Sequence, residues 1–156
     1  MEIDFRLPGL NGQLSNLRRR EFIFRGVPVL GMESILVAAK FSDIDEQLHI
    51  ATTLHGFDAM YYGKKQPWWE DQLLHWQGVA MERDGDVYAE FVTEAYREMF
   101  DQCEPARLAL LATGDTKLKH SIGGTDPTRT ILTRTEFCEQ LEAQRFRCRT
   151  SSFLEI

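Results

Sequence analysis

The chain has no long apolar run. No segment approaches the ~18 consecutive apolar residues that a membrane-spanning helix needs. The acidic start, Met1–Asp4, also lacks the apolar stretch of a secretion signal. These absences favour a cytoplasmic protein that has no contact with a membrane.

Cysteine is scarce. Cys103, Cys138 and Cys148 are odd in number and none belongs to a CxxC pair, so neither a disulfide framework nor a structural zinc site is indicated. The four histidines show no HExxH or other compact ligand spacing. We therefore expect no metal and no cofactor.

Positive charge is in deficit, because the formal net charge is −6. This deficit argues against broad coating of nucleic acid through phosphate neutralisation, although a local pocket for one nucleotide stays possible. The 156 residues, of which 43% are hydrophobic and 11% aromatic, are enough to bury a core. A single domain over residues 1–156 is the simplest expectation.

The apolar pattern predicts mostly helices around a small sheet, which is an α+β fold. There is no regular strand–helix alternation, so a Rossmann-type parallel sheet is not indicated. Capping boxes are predicted at Ser42 with Asp45 and at Thr133 with Glu136. Strands are predicted at 21–25, 27–29 and 107–112, helices at 31–41, 43–54, 57–62, 67–80, 86–100 and from 134, and an irregular tail at 145–156.

The predicted helix over 31–41 carries an acid and an amine on one face. Glu33 and Lys40 are seven residues apart, which is nearly two turns, or about 10.5 Å along the axis. Because side chains lean toward the helix N-terminus, the long Lys40 arm reaches back toward Glu33. Such a pair can transfer protons or attack a sugar carbon. The alternative is that each charge only complements the helix dipole.

Several short segments occur in a recognisable order. They are Leu14-Ser15-Asn16-Leu17, the Glu33-x6-Lys40 helix, Ala59-Met60-Tyr61-Tyr62-Gly63-Lys64, Trp69 with Val79-Ala80-Met81, Leu110 to Leu118 (LLATGDTKL), and Asp126 in a loop rich in glycine and threonine. In this order they resemble the YbiA-like (NADAR) superfamily of N-glycosidases over roughly residues 14 to 130. The resemblance implies a YbiA-like fold.

The resemblance also implies a reaction, the cleavage of a ribose–nitrogen bond. The substrate would be an ADP-ribosylated base or a phosphoribosylamino compound, either free or carried on nucleic acid. The transition state resembles an oxocarbenium ion, which a carboxylate stabilises. The implied catalytic residues are Glu33 as that carboxylate or as the base for water, Lys40 as a Schiff-base amine, and Asp126 on ribose hydroxyls or in proton transfer.

The implied substrate contacts are more widely spread. An indole from Trp69 or Trp76 would stack on the base or sugar, although aromatics at this spacing are equally often core residues. The remaining contacts are Asn16, the turn at Gly114 and Asp115, and His120. Asp115 and Asp126 also have a simpler interpretation as caps of their own turns.

A non-catalytic protein is the competing hypothesis. Family members usually carry Trp-Gly shortly after the loop aspartate, whereas Asp126 is followed here by Pro127-Thr128-Arg129-Thr130. That difference favours a protein on the same scaffold that binds a nucleotide or ADP-ribose, or that serves as an adaptor.

Overall fold

The computed structural model describes the backbone of residues 1–154 and the side chains of residues 1–151. Helices predominate, and the strands form two separate antiparallel hairpins, β1–β2 and β3–β4. The elements are α1 (Leu10–Gln13), β1 (Phe22–Phe24), β2 (Val27–Val29), α2 (Met32–Ala38), α3 (Ile44–Thr53), α4 (Gly56–Gly63), a 3₁₀ turn (Trp68–Glu70), β3 (Leu73–Trp76), β4 (Val79–Glu82), α5 (Asp86–Gln102), α6 (Glu104–Ala112) and α7 (Arg134–Leu154).

The first hairpin forms where the sequence predicts it. The side chains of Phe22 and Phe24 face the core while Ile23 faces solvent, which is the alternation of a half-buried strand. Arg25 and Gly26 both have positive φ, 48° and 82°, as a tight two-residue hairpin turn requires.

Helix α2 lies at the centre of the molecule. Six of its seven residues are buried: Met32, Ser34, Ile35, Leu36, Val37 and Ala38. The exception is Glu33, which is half-buried. The helix packs against α3, α4 and α5. Its approach to α4 is close, because a Cβ atom on Gly63 would lie 2.5 Å from Val37 Cγ1. Glycine at 63 therefore allows α4 to lie directly against α2.

The predicted helix over 67–80 is wrong. Pro67 precedes the short 3₁₀ turn, and the chain then forms the hairpin β3–β4. Gln72 and Gln77 adopt positive φ, which ends each regular segment, and Gly78 completes the second turn. Leu74 and Trp76 point into the core at the two-residue spacing of a strand. The stretch is short, so the same apolar residues fit both the helical period and the strand period, and the sequence pattern alone does not separate the two.

Three further predictions need correction. Residues 107–112 form part of α6 rather than a strand, with Pro105 in the first turn of that helix. The N-cap of α3 is Asp43, whose Oδ1 accepts the Glu46 N–H at 2.8 Å, and not Ser42. Residues 145–154 continue α7 and are not irregular, while residues 155 and 156 lie outside the described part of the chain.

The second capping box is confirmed. The Thr133 hydroxyl accepts the Glu136 N–H at 3.2 Å, and Glu136 Oε1 accepts the Thr133 N–H at 2.8 Å. The predicted α+β class is also confirmed, with helices enclosing two small antiparallel sheets. None of the helices in the described residues is long and apolar enough to cross a membrane.

Candidate active site

A cavity of about 510 Å³ opens beside α2. Its size is in the range of sites for small organic ligands. The cavity is built from the N-terminal segment, the loop before β1, helices α2 and α4, and the loop that leads into α7. The lining side chains that concern its chemistry are Asp4, Arg6, Asn16, Glu33, Lys40, Phe57, Trp68, His120, Arg129 and Arg134.

Glu33 lies in the first turn of α2 and faces this cavity. Its backbone N–H donates to the Asn16 carbonyl at 3.3 Å, which ties the loop before β1 to the helix. Its carboxylate accepts no hydrogen bond from the described residues. Burial raises the pKa of Glu33 to about 7, and the attraction of Lys40 opposes this shift. Glu33 therefore exchanges a proton near neutral pH, as a general acid or base must.

Lys40 lies two residues beyond the end of α2 and lines the same cavity. Its Nζ donates to the Gly63 carbonyl at 3.4 Å, where α4 lies close to α2. Burial lowers the pKa of Lys40, and the Glu33 charge opposes this shift. Each charge thus keeps its neighbour more ionised than burial alone would allow.

Asn16 presents its side chain to the cavity from the loop before β1. The hydroxyl of Tyr96, a fully buried residue of α5, donates to Asn16 Oδ1 at 2.8 Å. This bond fixes the amide orientation and leaves the Asn16 NH₂ group available as a donor toward the cavity.

His120 also lines the cavity, directly after Lys119, which forms a β-bridge with Glu2. Its Nδ1 lies 2.7 Å from the Ile3 carbonyl oxygen, which can only accept, so Nδ1 carries the proton. The ring packs against Phe137 at 4.8 Å between centroids. Nε2 has no hydrogen-bond partner among the described residues. The contact with Ile3 therefore fixes the tautomer of a histidine that lines the cavity.

The two predicted indoles do not line the cavity. Trp76 is buried in the core against Phe24 and Phe91, with centroid distances of 5.3 Å and 5.5 Å. Trp69 lies outside the lining and stacks instead under the Arg129 guanidinium. The indole that does line the cavity is Trp68, the neighbouring residue, because the 3₁₀ turn rotates it inward.

The structure also places three other predicted residues outside the cavity lining. Gly114 and Asp115 follow α6, where the Asp115 carboxylate pairs with Arg149 at 2.8 Å. Asp126 caps its own turn, since Oδ1 accepts the Thr128 N–H at 2.9 Å and the Thr128 hydroxyl at 2.7 Å. These hydrogen bonds lower the pKa of Asp126. The simpler interpretation as a turn cap matches the contacts of Asp126, whereas Asp115 forms an ion pair with the distant Arg149 and caps no turn of its own within the described residues.

Sequence reasoning missed the arginines of the cavity. Arg6 is held by a bidentate pair with Asp4, and this contact lowers the pKa of Asp4 to about 2. Arg129 lies in the loop after Asp126, and Arg134 is the first residue of α7. The sequence signal in this segment is its departure from the YbiA-like (NADAR) pattern after Asp126. Among the described residues, no three His, Cys, Asp or Glu side chains are grouped so that they could hold a metal ion.

The fold places the chain in a known structural class. The solution structure of Escherichia coli YbiA matches with a TM-score of 0.64 over 92% of this chain and 81% of YbiA, at 18% sequence identity. The chain therefore has a YbiA-like fold.

The family is shown by the sequence itself. The model of the family described as bacteriophage protein GP30.3 matches residues 9–146. A relative in Enterobacteria phage T4, the "uncharacterized 17.1 kDa protein in Gp30-rIII intergenic region", is 33% identical over 144 residues. That match covers 91% of this chain and 93% of the relative. The chain belongs to the GP30.3 family of bacteriophage proteins.

Proposed function

We propose that this protein is an N-glycosidase that hydrolyses the bond between a ribose carbon and a base nitrogen in a nucleotide-derived substrate. The observation that carries the proposal is the Glu33 carboxyl group. It lines the cavity, its pKa is raised to about 7, and it accepts no hydrogen bond from the described residues. A half-buried carboxyl group that accepts no hydrogen bond is costly for folding, so a role in chemistry explains it better than a role in stability.

The reaction needs three things from the protein. The C1′–N bond breaks with its electron pair going to the nitrogen, a water oxygen bonds to C1′, and the proton that this water loses is passed on to the leaving nitrogen. Glu33 as the carboxylate stabilises the oxocarbenium-like transition state and takes the proton of the attacking water. The Asn16 NH₂ group and His120 Nε2 supply polar contacts that hold the ribose and the base.

Lys40 has two candidate roles, which require different protonation states of its amine. As a cation it holds Glu33 ionised, because the opposite charge favours the carboxylate. As a neutral amine, favoured by its lowered pKa, it bonds through Nζ to C1′, and the base leaves with the electron pair of the C1′–N bond and one proton; opening of the ribose ring at O4′ then gives a Schiff base, which water hydrolyses to release the sugar. Reduction with borohydride traps that adduct, and a trapped adduct that survives Lys40→Ala would exclude the second role.

The decisive experiment measures release of free base. The protein is incubated with an ADP-ribosylated nucleobase or with a phosphoribosylamino pyrimidine. The products are separated by chromatography and identified by mass spectrometry. We expect Glu33→Gln to lower the rate by at least ~100-fold, in line with loss of general acid–base catalysis. Glu90→Gln is the matched control, because Glu90 is exposed on α5 and accepts no hydrogen bond from the described residues.

A binding protein without catalysis is the second candidate. It is favoured by one observation, the position of Asp126 outside the cavity, which removes one predicted catalytic group. Ligand binding that persists without base release, in the wild type and in Glu33→Gln alike, would favour this candidate and refute the proposed reaction.

A further inference from the structure

Among the described residues, two arginines at the cavity have no acidic side chain in direct contact, although Arg129 lies near enough to the Asp126 carboxylate to help lower its pKa. Arg129 and Arg134 both line it, and neither forms an ion pair with the described residues. By contrast, Arg83, Arg25 and Arg149 each pair with a carboxylate within 2.8 Å. In a chain of net charge −6, this leaves a local excess of positive charge at one rim of the cavity.

The Arg129 guanidinium is held by its face. Its central carbon lies 4.5 Å from the centroid of the Trp69 ring, a cation–π contact. Its side chain donates no hydrogen bond to the described residues. The N–H groups of a guanidinium lie in its plane and point outward, whereas stacking uses its flat face. The Trp69 contact therefore orients the donors of Arg129 and leaves them able to form hydrogen bonds.

Arg134 is held differently, and it faces the same cavity. Its Nε donates to the Gly123 carbonyl at 2.7 Å, while its two terminal nitrogens donate to no described residue. The backbone N–H of Arg134 donates to the Gly124 carbonyl at 3.1 Å, which closes the loop on itself. Each of the two arginines therefore has a fixed stem and free terminal donors.

The loop that carries these arginines is fastened to the body of the protein. The buried Arg83 donates to the Thr130 carbonyl at 3.0 Å, and Tyr88 donates to the Ile131 carbonyl at 2.6 Å. Gln72 donates to the Thr128 carbonyl at 2.7 Å. Asp126 caps the turn that precedes Arg129. This order in the loop, before any ligand binds, lowers the entropy cost of binding.

We infer that Arg129 and Arg134 form a subsite for a phosphate group of the substrate, with Trp69 as the residue that positions Arg129. Planar guanidinium groups bind phosphate oxygens through paired N–H donors, and such charge-assisted hydrogen bonds are among the strongest in proteins. The inference rests on the proposed function for the assignment of the cavity as the substrate site. It adds that the protein selects phosphorylated ribosides over their unphosphorylated counterparts.

The test compares ligands that differ only in phosphate, by calorimetry on the intact protein. The pairs are ribose 5-phosphate with ribose, and ADP with adenosine, and ADP-ribose is measured beside them. We expect the phosphorylated member to bind about 100-fold more tightly, about 10-fold for each arginine, and the difference to shrink as salt screens the charges. Arg129→Ala and Arg134→Ala should each remove about 10-fold of that difference, as the loss of one charge-assisted contact predicts. The exposed Arg97→Ala on α5 should leave it unchanged.

Trp69→Leu separates positioning from direct contact. It should weaken binding of ADP-ribose and leave binding of adenosine unchanged. Arg129→Lys should not recover the affinity that Arg129→Ala loses, because an ammonium group lacks the planar shape and the paired N–H donors of a guanidinium group. Equal affinity for both members of each pair, or an equal effect of Arg97→Ala, would overturn the subsite. Because binding is measured without turnover, a protein that binds as expected but releases no base would refute the proposed reaction and leave the subsite standing.

Discussion

The raised pKa of Glu33 predicts how folding stability depends on pH. The folded state holds this proton up to about pH 7, whereas an unfolded chain releases it near the ordinary value of 4.5. Between these values the folded state binds more protons than the unfolded state, so the free energy of unfolding must fall as pH rises. The stabilising contribution of protonated Glu33 is complete below pH 4.5 and is lost as pH rises through about 7.

The magnitude follows from the same two values. The interval from 4.5 to about 7, at ~1.36 kcal/mol for each pH unit, gives about 3 kcal/mol. For a chain of this length, that loss lowers the unfolding temperature by roughly 6–12 °C. Glu33→Gln removes the titrating group, so the variant should lack this part of the pH dependence.

The assay is urea unfolding of the wild type and Glu33→Gln at a series of pH values from about 4.5 to about 8. The core residue Trp76 is a fluorescence reporter of global unfolding. The difference in unfolding free energy should shift by about 3 kcal/mol in favour of the variant across this range. Glu90→Gln, which makes the same chemical change at an exposed position, should show a much smaller shift.

Parallel curves for the wild type and Glu33→Gln would refute the reasoning, because they would mean that Glu33 titrates alike in both states. The Lys40→Met background sharpens the test. Lys40 lowers the pKa of Glu33, so its removal should raise that pKa further and extend the loss of stability to higher pH. Lys65→Met is the control, since Lys65 is exposed and lies outside the cavity lining.

Three further predictions concern the residues that support the site. Tyr96→Phe, which removes the hydrogen bond to Asn16, should cost about 1 kcal/mol in urea unfolding and lower base release, whereas the exposed Tyr61→Phe should do neither. Trp76→Ala should destabilise the protein by about 3–5 kcal/mol, because it empties a core position between two phenylalanines; a smaller loss would show that β3 is not part of the core. Gly63→Ala should cost about 1–3 kcal/mol in thermal unfolding because its Cβ meets Val37 Cγ1, and Val37→Ala should recover part of that loss if the contact is the cause.

The side of the cavity that carries Glu33 and Lys40 could be predicted from the sequence because it depends on one local period. Glu33 lies in α2 and Lys40 in the turn that directly follows it, so a spacing of nearly two helical turns still brings both residues to the cavity. The capping box at Thr133 is local in the same way. The hairpin β3–β4 could not be predicted from local spacing, because the positions of Trp69 and Trp76 fit both a helix and a strand. Tertiary contacts, such as the His75 N–H donating to the Ala39 carbonyl at 2.7 Å, accompany the strand.

The arginine rim of the cavity depends on contacts that no sequence period encodes. Arg129 and Trp69 are sixty positions apart, and the loop between Asp126 and Arg134 is fastened by Arg83, Tyr88 and Gln72 from other elements. After Asp126 the sequence departs from the pattern of the YbiA-like (NADAR) superfamily, and the residues found there make contacts of their own with the rest of the protein. Where Trp-Gly is expected, this chain places a guanidinium at the cavity, held by an indole from the 3₁₀ turn. Under the two proposals, this change alters which ligand the cavity binds, while Glu33 and Lys40 act on the bond that is cleaved.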